Sequence, residues 1–282
     1  MLFLKIENEY GESYDFSKSA DYAVTVTGLT PGSATLKTSK VASKHGCKCN
    51  GSTLNERNIV LNIYPRNNVE KNRIDIYKYI VLGGYIKLYL KNGTRDTWIE
   101  GHIETIEGDL FTAPQMLQVS IICGDPFFKD VNSVTTEFTS VTTTFEFPMN
   151  VTSEGVIFGE IQKNALKNVR NESNSEIGVI IDIIATADNA LEPTIINEDT
   201  LETFTVEHQF ITGDIVRIDT REGHRSLTLI RGGIETNILN SMTRDSKWIS
   251  LKRGDNLFSY RALVDAEYLN VKISFQPVYT GV

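Results

Sequence analysis

His45, Cys47 and Cys49 stand close together in the stretch KHGCKCNG, residues 44–51, and the whole chain holds 3 cysteines. Imidazole and thiolate are the ligands that zinc prefers, so a metal site is the first chemistry to weigh. Structural zinc sites recruit their ligands in pairs two to four residues apart, with a second pair elsewhere. Here a single residue separates the ligands, and Cys123 and His102 stand alone far along the chain. The surrounding Lys44, Gly46, Lys48, Asn50 and Gly51 are turn formers and solvated cations. The spacing favours a loop, and no metal ligand is assigned.

Carboxylates come next. Asp182, Asp214, Asp219 and Glu222 could supply a glycosidase pair, which needs two carboxyls a few ångströms apart across a cleft. Asp214 follows Gly213 in a turn-like TGD and reads as a solvated turn aspartate, the default for such residues. His224 and Ser226 in REGHRS lack a nucleophile elbow and a partner aspartate. The pairs Gly83-Gly84 and Gly232-Gly233 precede neither Lys-Ser/Thr nor a GxGxxG pattern, so they are no phosphate loop. No catalytic or cofactor-binding residue is assigned, no cofactor is called for, and the expectation is a protein that is not an enzyme.

The elements that would hold these residues are mostly strands. Tyr22–Thr27, Ile59–Tyr64, Tyr85–Leu90 and Leu117–Ile122 alternate with period two and are rich in branched or aromatic residues. One window, Val69 to Val81, places Ile74, Tyr77 and Ile80-Val81 at helical spacing before Gly83-Gly84 ends it. A thinner helical pattern spans Gln162 to Val169. A threonine-rich stretch from Asp130 to Thr144 marks a boundary near 132–148. Two domains are expected, 1–135 and 136–282. Beyond the boundary, Gly155–Ile161, Ile177–Ala187, Thr203–Phe210, Asp214–Asp219, Ser226–Arg231, Trp248–Leu251, Leu257–Ala262 and Asn270–Phe275 read as eight short strands of a sandwich or jelly roll.

The chain has 282 residues, 28 Lys+Arg against 36 Asp+Glu and a net charge of -8. That balance argues against a surface that grips nucleic acid or anionic membrane, because such binding needs clustered cations. Met1–Glu7 lacks a basic region before its apolar residues, so no secretory signal is expected. The most apolar stretch, Ile177–Ala185, is short and interrupted by Asp182, so no membrane span is expected. Three cysteines do not make a disulfide framework, which points to synthesis in a reducing cytoplasm.

Two longer stretches carry a resemblance. The first is WIEGHIETIEGDLFTAPQMLQVSIICGDPFFKD, Trp98 to Asp130, read as a strand ending in Gly101, a turn at Glu107-Gly108-Asp109 and a strand leading into Cys123-Gly124-Asp125-Pro126-Phe127-Phe128. The second is the end of the chain, with TGDIVRIDTREGHRSLTLIRGG, WISLKRGDNLFSY and the terminal VYTGV. With the helical VEKNRIDIYKYI before them, and Arg73 where a basic residue is usual, these stretches resemble the distal tail protein of long-tailed bacteriophages of Gram-positive bacteria. The resemblance covers nearly the whole chain, save Lys40–Asn58, whose Cys47 and Cys49 lie outside the pattern, and Lys163–Ser175.

The resemblance implies a mainly β protein: an N-terminal β-sandwich with one helix (about 69–81) and an extended hairpin arm, then a C-terminal galectin-like β-sandwich. The arm would span about 31–63, with ASKHGCKCNGSTLNERN at its tip. It also implies a structural role at the virion tail tip. Six copies would close a homohexameric ring by laying each arm on the neighbour. The ring would join the tail tube protein and tape measure protein to the lysin-like hub protein, and in many phages would carry receptor-binding proteins. DNA would pass through the lumen without specific binding. Strand addition needs exposed strand edges rather than a chemical motif. An acidic ring, formally 6 × (-8) = -48, would repel passing phosphate.

Two other readings compete. A carbohydrate-binding module would use Trp248 as a stacking platform, whereas burial is the commoner fate of such a residue. A cell-wall hydrolase would need a carboxylate pair or triad that the sequence does not offer.

Overall fold

The computed structural model describes residues 3–40, 42, 45–138, 141–142, 160–161 and 166–282. The chain divides into two units: one ends at Val131 and takes in Val278–Val282, and the other spans Asn132–Pro277. Residues 278–282, left with the second domain when read along the sequence, thus belong with the first.

The first unit contains β1 (Phe3–Asn8), β2 (Ser13–Asp15), β3 (Tyr22–Thr27), β4 (Ala34–Ser39), β5 (Lys48–Leu54), β6 (Arg57–Pro65), α1 (Val69–Ile76), β7 (Tyr85–Lys91), β8 (Asp96–Asp109), β9 (Met116–Cys123) and β10 (Phe128–Asp130). Its main sheet runs β2-β1-β7-β8-β9-β6-β3, antiparallel throughout, with β10 added on β8. Alternation sends one set of side chains inward: Ile6, Ile86, Leu88, Ile99, Leu117, Val119, Ile121, Ile59, Leu61 and Ile63 are all buried in one cluster. Each such side chain is worth about 1.5–3 kcal/mol relative to exposure. The two ends of the sheet converge at Tyr14 of β2 and Tyr22 of β3, whose rings meet edge to face at 5.2 Å beside Phe16 and Tyr79. The sheet therefore bends over a single core and gives the expected sandwich with one helix.

Three details differ from the sequence reading. α1 stops at Ile76 rather than Val81, and it buries Asn72 and Ile76, with Ile80 just beyond. Of the expected stripe, Ile74, Tyr77 and Val81 are on the solvent side while Ile80 is buried; the four-residue step from Ile76 to Ile80 marks the true inner face. β8 does not end at Gly101 but continues to Asp109, so Glu107–Asp109 are strand and the turn follows them. Gly101 is required there by close approach, since a Cβ would stand 2.5 Å from the Ile122 carbonyl oxygen.

The second unit contains β11 (Val134–Glu137), β12 (Val141–Thr142), β13 (Glu160–Ile161), β14 (Lys167–Asn171), β15 (Ile177–Gly178), β16 (Ile180–Ala185), β17 (Thr194–Asn197), β18 (Glu202–Thr205), β19 (Ile215–Asp219), β20 (Ser226–Arg231), β21 (Ile234–Asn237), β22 (Ser250–Leu251), β23 (Gly254–Arg261) and β24 (Leu269–Phe275). The last strand of the chain, β25 (Val278–Tyr279), pairs with β10 of the first unit. A six-stranded sheet, β11-β24-β16-β19-β20-β21, faces a four-stranded one, β14-β23-β17-β18. Ile181, Ile183, Val216, Ile218, Val271 and Ile273 from the first share one core with Val169, Ile195, Phe204 and Phe258 from the second. This is the expected β-sandwich. Lys167–Val169, read as the end of a helix, are strand; Val169 and Asn171 turn inward at period two while β14 pairs with β23. Leu166 precedes the strand and is exposed; residues 162–165, and the strand expected at Gly155 apart from its last two residues, lie outside the described residues.

Candidate assembly surface

Between β3 and β6 the chain leaves the main sheet and forms a two-stranded ribbon of its own. Among the described residues β4 and β5 pair only with each other, from Ala34 opposite Leu54 to Ser39 opposite Lys48, with a bulge after Lys37. Every residue of both strands is exposed. The arm expected at about 31–63 is therefore shorter, because Arg57–Pro65 is a central strand of the first sheet with its alternate residues buried. The register sorts the ribbon into two faces. Ala34, Leu36, Thr38, Cys49, Ser52 and Leu54 lie on one, and Thr35, Lys37, Ser39, Lys48 and Thr53 on the other. Leu36 is 60% and Leu54 42% exposed. An isolated two-stranded ribbon is marginal in water, and one with an uncovered apolar face gains by being laid on another surface.

The root of the arm is rigid. Asn55 donates its backbone N–H to the Ser33 carbonyl oxygen at 3.1 Å and its side-chain amide to Ser33 Oγ at 3.0 Å, while Thr35 donates to Asn55 Oδ1 at 2.7 Å. Gly28 has φ +84°, and a Cβ there would stand 2.2 Å from the Asn58 carbonyl oxygen, so the chain leaves β3 through a position open only to glycine. Behind this turn Arg57 is 4% exposed and donates to four backbone carbonyls. Nη1 reaches Gly28 at 2.6 Å and Thr30 at 2.7 Å, Nη2 reaches Thr280 at 2.6 Å, and Nε reaches Pro126 at 2.8 Å. Its guanidinium lies over the Phe128 ring at 4.7 Å. Arg57 has no carboxylate partner among the described residues. Burial lowers its pKa from the usual arginine value, yet carbonyl dipoles and the ring face satisfy the charge. One planar cation thus ties both ends of the arm, the loop before β10 and the chain end together. Val282 N–H adds a bond to the Leu29 carbonyl oxygen, and Arg95 donates to the Gly281 carbonyl oxygen.

His45, Cys47 and Cys49 lie at the far end of the ribbon, all exposed. Among the described residues, no three His, Cys, Asp or Glu side chains group as ligands of a metal ion. Cys123 is buried, and burial pushes its thiol up to about 12. In α1, Arg73 pairs with Glu70.

In the second unit the carboxylates considered for catalysis are engaged elsewhere. Asp182 takes a bidentate pair from Arg217 at 2.7 and 3.0 Å, and Asp219 is held by Arg221. Asp214 corrects the sequence reading: it is fully buried rather than solvated. It accepts Arg231 through both oxygens, at 2.7 and 2.6 Å, and the Ile211 N–H at 3.1 Å. These bonds, Arg231 first, hold its pKa below the usual carboxylate value. Its charge fastens the 211–214 turn to β20. His208 stands 3.7 Å from it, and burial first of all lowers its pKa from the usual histidine value. Glu222 and His224 are exposed in the following turn, and Ser226 sits in the ladder opposite Asp219. The gathering of a catalytic dyad or triad is not seen in these positions. Trp248 is half-buried, packed against Phe204 at 5.2 Å at the margin of the core.

Sequence reasoning missed Arg57, which it left in the exposed tip segment ASKHGCKCNGSTLNERN. Its signal was the place of a cation at the head of the strongly alternating RNIVLNIYP, where a strand enters the core.

Residues 172–279 match the family model described as siphovirus-type tail component, C-terminal domain. No relative is found among curated proteins. Among solved structures, the SPP1 Dit (gp 19.1) protein, described as a paradigm of the hub adsorption apparatus in Gram-positive infecting phages, is similar to this chain at TM-score 0.69 and 15% identity. The match covers 98% of each chain. The phage P2 baseplate in its activated conformation with Ca is similar at TM-score 0.49 and 9% identity, over 97% of this chain and 98% of that one. The same baseplate with Sr gives the same TM-score and identity over 98% of each chain.

Proposed function

We infer that this chain is a structural tail-tip protein of a bacteriophage, the distal tail protein, and that six copies form the ring at the end of the tail. The observation that carries the reading is the arm: an exposed amphipathic ribbon left uncovered by the described residues of its own chain, braced at its root by Arg57, in a fold like that of SPP1 Dit over its full length. A rigid root with an uncovered ribbon is what a head-to-tail interface between copies requires. Such an interface gives a closed ring when its rotation divides the circle evenly. The arm would rest on the next copy. The second unit, which carries the tail-component match, would offer docking for neighbouring tail-tip and host-recognition proteins. The ring would join the tail tube and tape measure to the hub protein, around a lumen that passes DNA.

The test is the mass and shape of the purified chain. A ring would weigh about 6 × 31.6 ≈ 190 kDa and form with rising concentration as mass action demands. Deleting 34–54 and joining the ends through a short Gly-Ser turn would leave a folded monomer. Retention of rings without the arm would overturn the reading.

A further inference from the structure

The arm has a charge pattern unlike the rest of the chain. From Pro31 to Asn55 there are four lysines, Lys37, Lys40, Lys44 and Lys48, and no aspartate or glutamate. The remainder therefore has 28 − 4 = 24 basic against 36 acidic residues, a net charge of -12. A +4 ribbon stands on a strongly acidic body. Lys37 and Lys48 share one face of it, and neither forms an ion pair with a described residue.

A second hairpin of the first unit has the opposite pattern. From Ile103 to Phe128 there are four acidic residues, Glu104, Glu107, Asp109 and Asp125, and no lysine or arginine. β8 and β9 carry this stretch out to the turn at 110–115. Ile103, Val119 and Ile121 face the core, and Ile106 and Gly108 lie opposite Val119 and Leu117. Glu107 and Asp109 therefore point to the outer face, as does Glu104, which accepts Ser120 Oγ at 3.3 Å. All three are exposed and none is paired with a cation among the described residues. Their outward neighbours Asn58, Gln118 and Ser120 are uncharged. The turn itself ends in Phe111, 99% exposed, beside the exposed Leu110.

We propose that the lysine face of the arm docks on the outer, acidic face of the β8–β9 hairpin of a second copy of this chain. The proposal deepens the ring reading and rests on it. Two unpaired sets of opposite sign, each on an exposed hairpin, gain by meeting, whereas like-charged surfaces would repel. A second copy is favoured over nucleic acid as occupant, because a duplex approaching the arm must also approach the -12 body. Contacts of this kind set register and association rate, and they weaken as the screening length falls from about 10 Å at 0.1 M salt to about 3 Å at 1 M.

Sedimentation velocity of the full chain across concentration, at low and at high NaCl, provides the test. Four proteins are compared: wild type, Lys37→Glu with Lys48→Glu, Glu104→Lys with Glu107→Lys, and all four changes together. All the altered residues are exposed, and thermal melts check that each variant is folded. Each reversed pair should raise the concentration of half-assembly about tenfold or more at low salt, and the combined protein should recover most of that loss. Wild-type assembly should weaken at high salt. If rings form equally in all four proteins and at both salts, this proposal falls while the ring reading stands. Wild type that stays monomeric under every condition removes both. Retention of duplex DNA that is lost in the lysine variant, with assembly unchanged, would make the arm a polyanion grip and overturn the proposal.

Discussion

Arg57 offers the sharpest test of how the arm is held. Replacing it with Met keeps much of the stem and removes four charge-assisted bonds, to Gly28, Thr30, Pro126 and Thr280. At about 1.5–3 kcal/mol each, their simple sum is about 6–12 kcal/mol. That sum is an upper bound, since bonds sharing one group are not additive and loosening of the turn would let water reach some of the carbonyls. About 3–5 kcal/mol is the expected loss. With roughly 3 °C per kcal/mol for a unit of this size, the first unit's melting midpoint should fall by about 9–15 °C. Arg57→Lys should lie between, because an ammonium cannot span four acceptors arranged for a planar fork. The acceptors do not titrate, so the loss should be the same at pH 6 and pH 9. Calorimetry or tyrosine fluorescence on melting would measure it. A Met variant within about 1 kcal/mol of wild type would refute the view that this side chain locks the arm root.

Other consequences follow from the same geometry. Cys47 and Cys49 should react quickly with a thiol reagent in the folded monomer, while Cys123, buried with its thiol pushed up to about 12, should react only on unfolding; mass spectrometry of labelled peptides reads this directly. Gly28→Ala should cost about 3 kcal/mol or more, because its new Cβ meets the Asn58 carbonyl oxygen at positive φ, while Gly11→Ala, equally positive in φ but open in space, should cost about 1 kcal/mol in the same melts. His208 has its pKa lowered in the fold, so its contribution to stability is intact above the unfolded value of about 6.5 and is lost as pH falls through the folded one. His208→Gln should flatten that part of the second unit's stability profile. Asp214 is lowered likewise, by Arg231 first, so the stability it lends is present above about pH 4 and disappears as pH falls through its folded value. Arg231→Met should remove that lower step and also shrink the His208 step, because the Arg231 charge helps to hold the His208 pKa down against Asp214.

Strands such as Tyr85–Leu90 and Leu117–Ile122 were legible because one side of each must be apolar and the other polar, and that alternation is written in adjacent residues. The helix was legible in position but not in face. Ile74, Tyr77 and Ile80-Val81 make as good a helical stripe as Asn72, Ile76 and Ile80, and only the place of the sheet beneath decides between them. The arm's far boundary was misplaced because Arg57 looks like a solvated cation until its four carbonyl acceptors are assembled from positions 28 to 280. Asp214 was misread for the same reason: a turn aspartate is buried when an arginine 17 residues later on a neighbouring strand meets it. The cysteine–histidine stretch needed no tertiary information to be set aside as a metal site, since its spacing already opposed one. Its place at the end of an exposed ribbon came from the resemblance, and the ribbon's two faces only from the register.

The central claim is that copies of this chain close a ring through the arm. Negative-stain images of the purified protein at high concentration test it most directly, alongside its mass in solution. A sixfold ring with a central hole and a mass near 6 × 31.6 ≈ 190 kDa is the expected result. Single particles of about 31.6 kDa at every concentration, or assemblies that persist when residues 34–54 are removed, would contradict it.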